Sequence, residues 1–327
     1  MEPIWNISSH EEFERVALAT FRRQAALCAP YGRYLNLLGC DVAQVQSVAQ
    51  IPFLPIELFK SCDVYCGATP PEAIFTSSGD VASHHAMSSL AHYETTFVAA
   101  FEQFYGSLSQ WSIYALLPSY LEREGSSLIY MVDGMVRRSG AGGGFYLYDH
   151  AQLLADLRRD LRPKILLGVS YALLDLAESG LVREPLRDTI VMETGGMKGR
   201  RAEMVKSQLH TTLERAFGVE SIHSEYGMAE LTSQGYSSGL NRFSSPRWMS
   251  VAVRDLADPL AVTLSYQVAE QGLASLRGGL NIVDLASQDS CAFVQTQDLG
   301  ELFADGSFTV EGRVARSDVR GCNLLVQ

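Results

Sequence analysis

The pattern of apolar and polar positions changes twice along the chain, near residue 70 and again near residue 245. In the first stretch, Phe13, Val16, Ala17 and Phe21 recur at helical spacing, which places them on one face of a helix. Ser9 followed by Glu12 reads as the capping box that starts it. The run Ile51-Pro52-Phe53-Leu54-Pro55 is excluded from a helix interior, because proline lacks the donor and restrains the residue before it. It is expected to be an extended connector. From about 70 to 240 short apolar runs alternate with helical patterns. Strands are predicted over 112–117, 127–132, 164–169, 189–192 and 221–223, and helices over 149–161 and 198–217. That alternation predicts a layered α/β fold with a largely parallel sheet. Beyond about 245, shorter strands and turns predict a β-rich subdomain. The chain therefore divides into an α/β core with an N-terminal helical segment over 1–240, and a β-rich portion over 241–327. Neither an internal repeat nor a low-complexity segment interrupts it.

Composition narrows the function classes. The chain has 327 residues, 47% of them hydrophobic, and a mean hydropathy of +0.03, enough to bury a sizeable core. A formal charge of −11 argues against general nucleic-acid binding, which rewards clustered Lys and Arg. No apolar run reaches the roughly 20 residues that span a bilayer. The start, Met1-Glu2-Pro3-Ile4-Trp5, lacks the basic and apolar regions of a signal peptide, so the expected compartment is the cytoplasm. Six scattered cysteines, Cys28, Cys40, Cys62, Cys66, Cys291 and Cys322, make no disulfide framework. Most are expected to be buried thiols. Cys62 and Cys66 have the spacing of half a metal site without a second pair. No histidine spacing suggests a metal, and His84-His85 is expected on a solvent-facing loop. The absence of a Gly-x-Ser-x-Gly elbow removes support for a serine hydrolase.

Chemistry enters through the turns. Polar or glycine-rich turns follow the predicted strands at 118–119, 168–170, 194–196 and 225–227, and in open α/β sheets ligands gather beyond the carboxyl ends of strands. In Phe75-Thr76-Ser77-Ser78-Gly79-Asp80, hydroxyls and backbone N–H groups can wrap phosphate oxygens. The plain alternative is a surface turn, and Asp80 would repel a polyphosphate. Gly195-Gly196 lets backbone approach a flat base closely; the plain alternative is a tight turn into a helix. In Glu225-Tyr226-Gly227-Met228-Ala229-Glu230 the ring can lie against adenine and Glu230 can hold Mg²⁺ through oxygen. Asp298, in Thr296-Gln297-Asp298-Leu299-Gly300, can accept from both ribose hydroxyls, and Arg313 can meet a phosphate or ribose. Taken singly, Glu230 reads equally as an exposed helix acid and Asp298 as a turn residue.

In their order and spacing these segments resemble the adenylate-forming superfamily of acyl-CoA synthetases. The nearest resemblance is to its acyl-protein synthetase branch, known from bacterial luminescence systems, with phenylacetate–CoA ligases more distant. Ile51 to Ile56, Leu116 to Arg123, Met192 to Arg200 and Asp318 to Leu324 carry it together with the motifs above. The resemblance implies ATP-dependent activation of a fatty or aryl acid to acyl-AMP, and transfer to a thiol of a protein or carrier. By position it implies Ser77, Ser78 and Gly79 at the phosphates, Gly195, Gly196, Glu225, Tyr226 and Gly227 at adenine, and Asp298 at the ribose. It further implies Glu230 at Mg²⁺, Arg313 at ribose or phosphate, and Gly168, Ser170 and Tyr171 lining an acyl pocket. A cysteine near the chain end accepts the acyl group as a thioester in that branch, which points to Cys322, and a reductase or acyl carrier would be the partner. A homo-oligomer is compatible with these features. The superfamily's mobile C-terminal domain and its lysine are not expected before Gln327. The chain departs from the superfamily pattern in Gly79-Asp80-Val81-Ala82-Ser83-His84-His85, which has no lysine, and in Ala229, where threonine is usual. Those departures leave open a non-adenylating homologue that binds an acyl group or nucleotide as a partner subunit; an acyl-CoA ligase is the other alternative.

Overall fold

The computed structural model describes residues 4–77, 81–118, 125–140, 142–196 and 204–314. It divides into two compact units that interleave along the chain, whereas the sequence reading places one division after residue 240. The first unit draws on Met1–Ala99, Met228–Gln234 and Ser244–Ser317, and the second on Ala100–Gly227 and Gly235–Phe243.

The first unit opens with helices α1 (His10–Leu27) and α2 (Ala29–Leu37). The Ser9 hydroxyl accepts from the Glu12 N–H at 3.2 Å, while the Glu12 carboxylate returns to the Ser8 N–H at 2.9 Å. The capping box is thus shifted by one residue on its return arm. Phe13, Ala17 and Phe21 are buried and Val16 half-buried, as the helical period requires. Gln24, fully buried on α1, donates to the Ser287 carbonyl at 2.8 Å and accepts from the Ala292 N–H at 2.9 Å. The connector forms β1 (Leu54–Pro55), followed by the short helix α3 (Leu58–Ser61), the antiparallel hairpin β2 (Ala73–Thr76) and β3 (His84–Met87), and α4 (Leu90–Tyr105).

The second unit is the parallel α/β layer. Its elements run β4 (Ser112–Leu116), α5 (Ser127–Ser139), β5 (Gly143–Phe145), α6 (His150–Arg159), β6 (Lys164–Val169), α7 (Ser170–Glu178), β7 (Thr189–Thr194), α8 (Lys206–Phe217) and β8 (Ile222–Tyr226). Two short strands, β9 (Gly235–Ser237) and β10 (Arg242–Ser244), close it. The order is β5-β4-β6-β7-β8, all parallel, with β9 antiparallel to β8. One predicted strand is wrong: 127–132 is the start of α5. A short apolar run does not discriminate strand from helix. The decision comes from Ser126, which accepts from the Ile129 N–H, and from Gly140, whose φ of 61° ends the helix. The buried positions Ile129, Val132 and Met135 then fall on one face.

The chain returns to the first unit with β11 (Met249–Arg254), β12 (Val262–Leu264), α9 (Ser265–Glu270), β13 (Ser275–Asp284), β14 (Phe293–Phe303), β15 (Phe308–Thr309) and β16 (Gly312–Arg313). These strands pair antiparallel in the order β12-β11-β13-β14-β15, with β16 also on β14. The β-rich expectation therefore holds beyond 245. β1 joins β14 in parallel, Leu54 opposite Val294. Phe293 packs among Phe21, Tyr31 and Phe53 at ring separations of 6.0, 6.4 and 6.1 Å, so the N-terminal helices share a core with β14. Gly300 has no room for a side chain, since an added Cβ would lie 2.0 Å from the Thr309 carbonyl oxygen. Of the five described cysteines, all free, only Cys28 and Cys291 are buried, fewer than the composition suggested. No helix among the described residues is long and apolar enough to cross a membrane.

Candidate functional site

The candidate residues fall into two sets, one per unit, and each has its own geometry. In the first unit Ser77 follows β2. Its N–H donates to the Ser83 carbonyl at 3.2 Å and its hydroxyl accepts from the Ser83 N–H at 2.9 Å, which ties the two ends of the candidate phosphate loop. Ser78 and Gly79 lie outside the described residues, as does Cys322. The Ser83 hydroxyl donates to Oε1 of Glu230. Glu230 is 2% exposed and sits in a turn after β8, so it is not the exposed helix acid of the plain alternative. One buried carboxylate beside a hydroxyl suits Mg²⁺, which takes one or two protein carboxylates and leaves its other positions to water and phosphate.

His85 corrects another expectation. It lies on β3, fully buried, rather than on a solvent-facing loop. Its Nδ1 stands 2.9 Å from the Ala229 carbonyl and its Nε2 2.9 Å from the Ser290 hydroxyl. A carbonyl only accepts, so Nδ1 carries the proton and Nε2 accepts from Ser290. Burial lowers the His85 pKa and so favours the neutral ring, whose Nδ1–H holds the residue preceding Glu230. Asp284 fixes the residues that follow. Its carboxylate accepts from the N–H groups of Thr232 and Ser233, both at 2.8 Å, from the Ser233 hydroxyl at 2.6 Å and from the Ala286 N–H at 3.1 Å.

Asp298 is buried within β14, not in a turn. Arg313 on β16 is its register partner, and Arg313 Nε stands 3.4 Å from Asp298 Oδ1. The structure thus brings together the two residues read as ribose ligands. Behind them, the buried Arg254 guanidinium donates to the carbonyls of Leu280 and Thr296 and to Asn281 Oδ1, at 2.8 to 2.9 Å.

In the second unit Gly195, with φ of 66°, turns the chain at the end of β7. Gly196 is buried and Gly227 exposed. Tyr226 ends β8 and packs on Phe243 at 5.8 Å. Gly168 serves close packing, since an added Cβ would lie 3.0 Å from Leu116 and from Leu173. Ser170 is 2% exposed and Tyr171 7%. The Ser170 hydroxyl reaches Glu193 at 3.1 Å and the Gly195 carbonyl at 3.3 Å.

Glu193, which the motifs did not single out as a ligand, is the most heavily engaged residue of this set. Its Oε1 receives the Ser224 hydroxyl at 2.6 Å and the Lys206 ammonium at 2.9 Å, with His210 Nε2 at 3.6 Å. Burial pushes its pKa up, but Lys206, His210 and Ser224 together hold it at about 2. Glu225 has the opposite fate. Burial, reinforced by the nearby Glu193 charge and opposed by the Thr194 hydroxyl, raises it to about 7. Only its place beside the apolar run Ile190-Val191-Met192 of β7 marks Glu193 in the sequence.

These shifts set a pH dependence. Glu225 binds its proton more tightly folded than unfolded, so its contribution is full below its ordinary 4.5 and declines as pH rises through about 7. Glu193 contributes fully above 4.5 and loses that contribution as pH falls toward 2. Glu225→Gln is therefore expected to flatten the decline between about pH 5 and pH 8, worth on the order of 3 kcal/mol. Urea unfolding across that range measures it. Parallel wild-type and variant curves would remove Glu225 as the titrating group.

No protein-family model and no curated protein matches the chain. Solved structures do. A 2-hydroxyisobutyryl-CoA ligase in complex with 2-HIB-AMP and CoA aligns over 97% of this chain and 72% of its own, at 13% identity and a TM-score of 0.66. An ATP-bound RpMatB-BxBclM chimera aligns over 76% of this chain and 48% of its own, at 15% identity and a TM-score of 0.56. A luciferase-like enzyme of the mealworm Zophobas morio aligns over 79% and 60%, at 14% identity and 0.53. The chain thus spans about half the length of the chimera and 60% of the luciferase-like enzyme. At these identities the likeness is one of fold, and the fold is that of adenylate-forming enzymes.

Proposed function

We propose that this chain, with a fold shared by adenylate-forming enzymes, uses ATP to activate a carboxylic acid as acyl-AMP and passes the acyl group to a thiol. The observation that carries the reading is the buried Glu230 carboxylate, joined through Ser83 to Ser77 at the base of the candidate phosphate loop. In this reading the acid's carboxylate oxygen attacks the α-phosphorus of ATP and pyrophosphate leaves with the electron pair of the broken P–O bond. The work of the protein is positioning and charge placement. Ser77, with Ser78 and Gly79, binds phosphate oxygens. Glu230 would hold Mg²⁺, which would offset phosphate charge. Asp298 accepts from the ribose hydroxyls and Arg313 donates to ribose or phosphate. Gly195, Gly196 and Tyr226 enclose adenine, flanked by Glu225 and Gly227. Gly168, Ser170 and Tyr171 belong to the acyl side, Ser170 through its backbone, since its hydroxyl is committed to Glu193 and Gly195.

Cys322 is the proposed acceptor: its thiolate, a strong nucleophile, attacks the acyl carbonyl carbon, AMP leaves with the electron pair of the broken C–O bond, and the thioester keeps the acyl group reactive. A reductase or acyl carrier would then take the group on. Coenzyme A is the alternative acceptor, and the cytoplasm the proposed compartment. A second reading, a nucleotide or acyl binder without turnover, draws on Asp80, Ala229 and the lysine-free loop. ATP–pyrophosphate exchange with a panel of fatty and aryl acids separates the two. Exchange with one acid supports the enzyme and names its substrate class; folded protein that exchanges with none overturns it.

Two variants test the assignments. Asp298→Ala is expected to weaken ATP binding by about 10- to 100-fold, the range for losing hydrogen bonds to a charged acceptor. Unchanged affinity in a calorimetric titration would remove the ribose role. Cys322→Ser is expected to form acyl-AMP without the hydroxylamine-labile acyl label that the wild type carries. A label that persists places the acceptor elsewhere.

A further inference from the structure

We infer that Glu193 is a positioning residue that sets both parts of the second unit proposed to hold the base, the Gly195–Gly196 turn and the Tyr226 ring. This rests on the nucleotide reading and goes beyond it, since Glu193 itself is assigned no ligand. The first link is short. Ser170 donates to Glu193 at 3.1 Å and stands 3.3 Å from the Gly195 carbonyl, so the carboxylate and the turn share one hydroxyl. The second link runs through Lys206. Its ammonium stands 2.9 Å from Glu193 and 4.8 Å from the centre of the Phe243 ring. Phe243 in turn packs on Tyr226.

Chain direction explains why one residue does both. Glu193 stands opposite Ser224 across the β7–β8 pair, and the Ser224 hydroxyl bonds it. Glu193 is two residues before Gly195 on one strand, and its partner Ser224 is two before Tyr226 on the next. A single buried anion therefore anchors both strand ends where they leave the sheet, and its neighbours on α7 and α8 fix it from the helical side. Strand ends with such support hold a flat ligand at less ordering cost on binding.

The test compares binding of ATP with binding of inorganic tripolyphosphate, which has no base, by calorimetry on the full chain. Glu193→Gln keeps the shape and removes the charge, and Ser170→Ala breaks only the link to the turn. ATP affinity is expected to fall about tenfold in Glu193→Gln and about threefold in Ser170→Ala, on the scale of one lost charged or neutral hydrogen bond. Tripolyphosphate affinity should stay within about twofold in both. Equal ATP binding by all three proteins overturns the inference and leaves the nucleotide reading standing. A wild type that binds no ATP overturns both. If Glu193→Gln unfolds, Ser170→Ala decides: a loss specific to ATP supports the inference, whereas no loss, or a loss for both ligands alike, overturns it.

Discussion

Glu230→Gln is expected to lower Mg²⁺-dependent ATP–pyrophosphate exchange by about a hundred- to a thousandfold while the protein keeps its fold. The amide has the same shape and still offers Ser83 an oxygen to bond, so the turn after β8 retains that contact. What it loses is the anionic oxygen that a hard cation requires. Without the cation, the phosphate charge that develops during displacement would go unopposed. Losses of about 3 to 4 kcal/mol are typical when one such electrostatic element is removed. Exchange rates and thermal unfolding, measured side by side, make the case. Exchange at the wild-type rate would move the metal to another residue, and a large drop in unfolding temperature would make the lost rate a matter of structure.

Asp284→Ala carries the largest expected loss of stability. The wild-type carboxylate is fully buried and receives the N–H groups of Thr232, Ser233 and Ala286 together with the Ser233 hydroxyl. Alanine leaves these donors without that acceptor, at about 1 to 3 kcal/mol for each one left unsatisfied. The terms do not add fully, because the vacated volume admits water. A loss of about 4 kcal/mol is expected, a large share of the 5 to 15 kcal/mol typical of a folded domain. Asp284→Asn keeps one acceptor oxygen and should cost roughly half as much. Urea unfolding reads both; a shift below about 1 kcal/mol in the alanine variant would remove Asp284 as the clamp on the 228–234 segment. Because Thr232 follows Glu230 so closely, the same variant should also lose exchange activity before it unfolds.

The sequence is informative where chemistry is local. The α1 cap at Ser9, the strands near 112, 164, 189 and 222, and the extended Pro52–Pro55 connector all follow from neighbouring residues. Residues 127–132 misled because the deciding signals, Ser126 and Gly140, flank the apolar run rather than lie within it. Glu193, His85 and Asp284 were opaque for a different reason. Each is a polar residue beside apolar ones on a strand, and such a residue reads the same whether it meets water or a buried partner. Their partners are far along the chain: Glu193 meets Ser224 at a separation of 31 residues, Thr232 meets Asp284 at 52, and His85 meets Ser290 at 205. Nothing in a local window names them.

The bond between Gln24 and Ala292 joins residues 268 positions apart, and this has a consequence for biosynthesis. At about 5 to 20 residues per second, the ribosome takes roughly 13 to 54 seconds to make that stretch. Through that interval α1 cannot seat Phe21 against Phe293, the ring it packs on in the finished protein. An apolar helix face waits in the open, and the first unit closes only once β14 has been made. The nascent chain is thus a natural client for a chaperone that shields exposed helices. Truncations that stop short of β14 should leave α1 without its core and accumulate as aggregates.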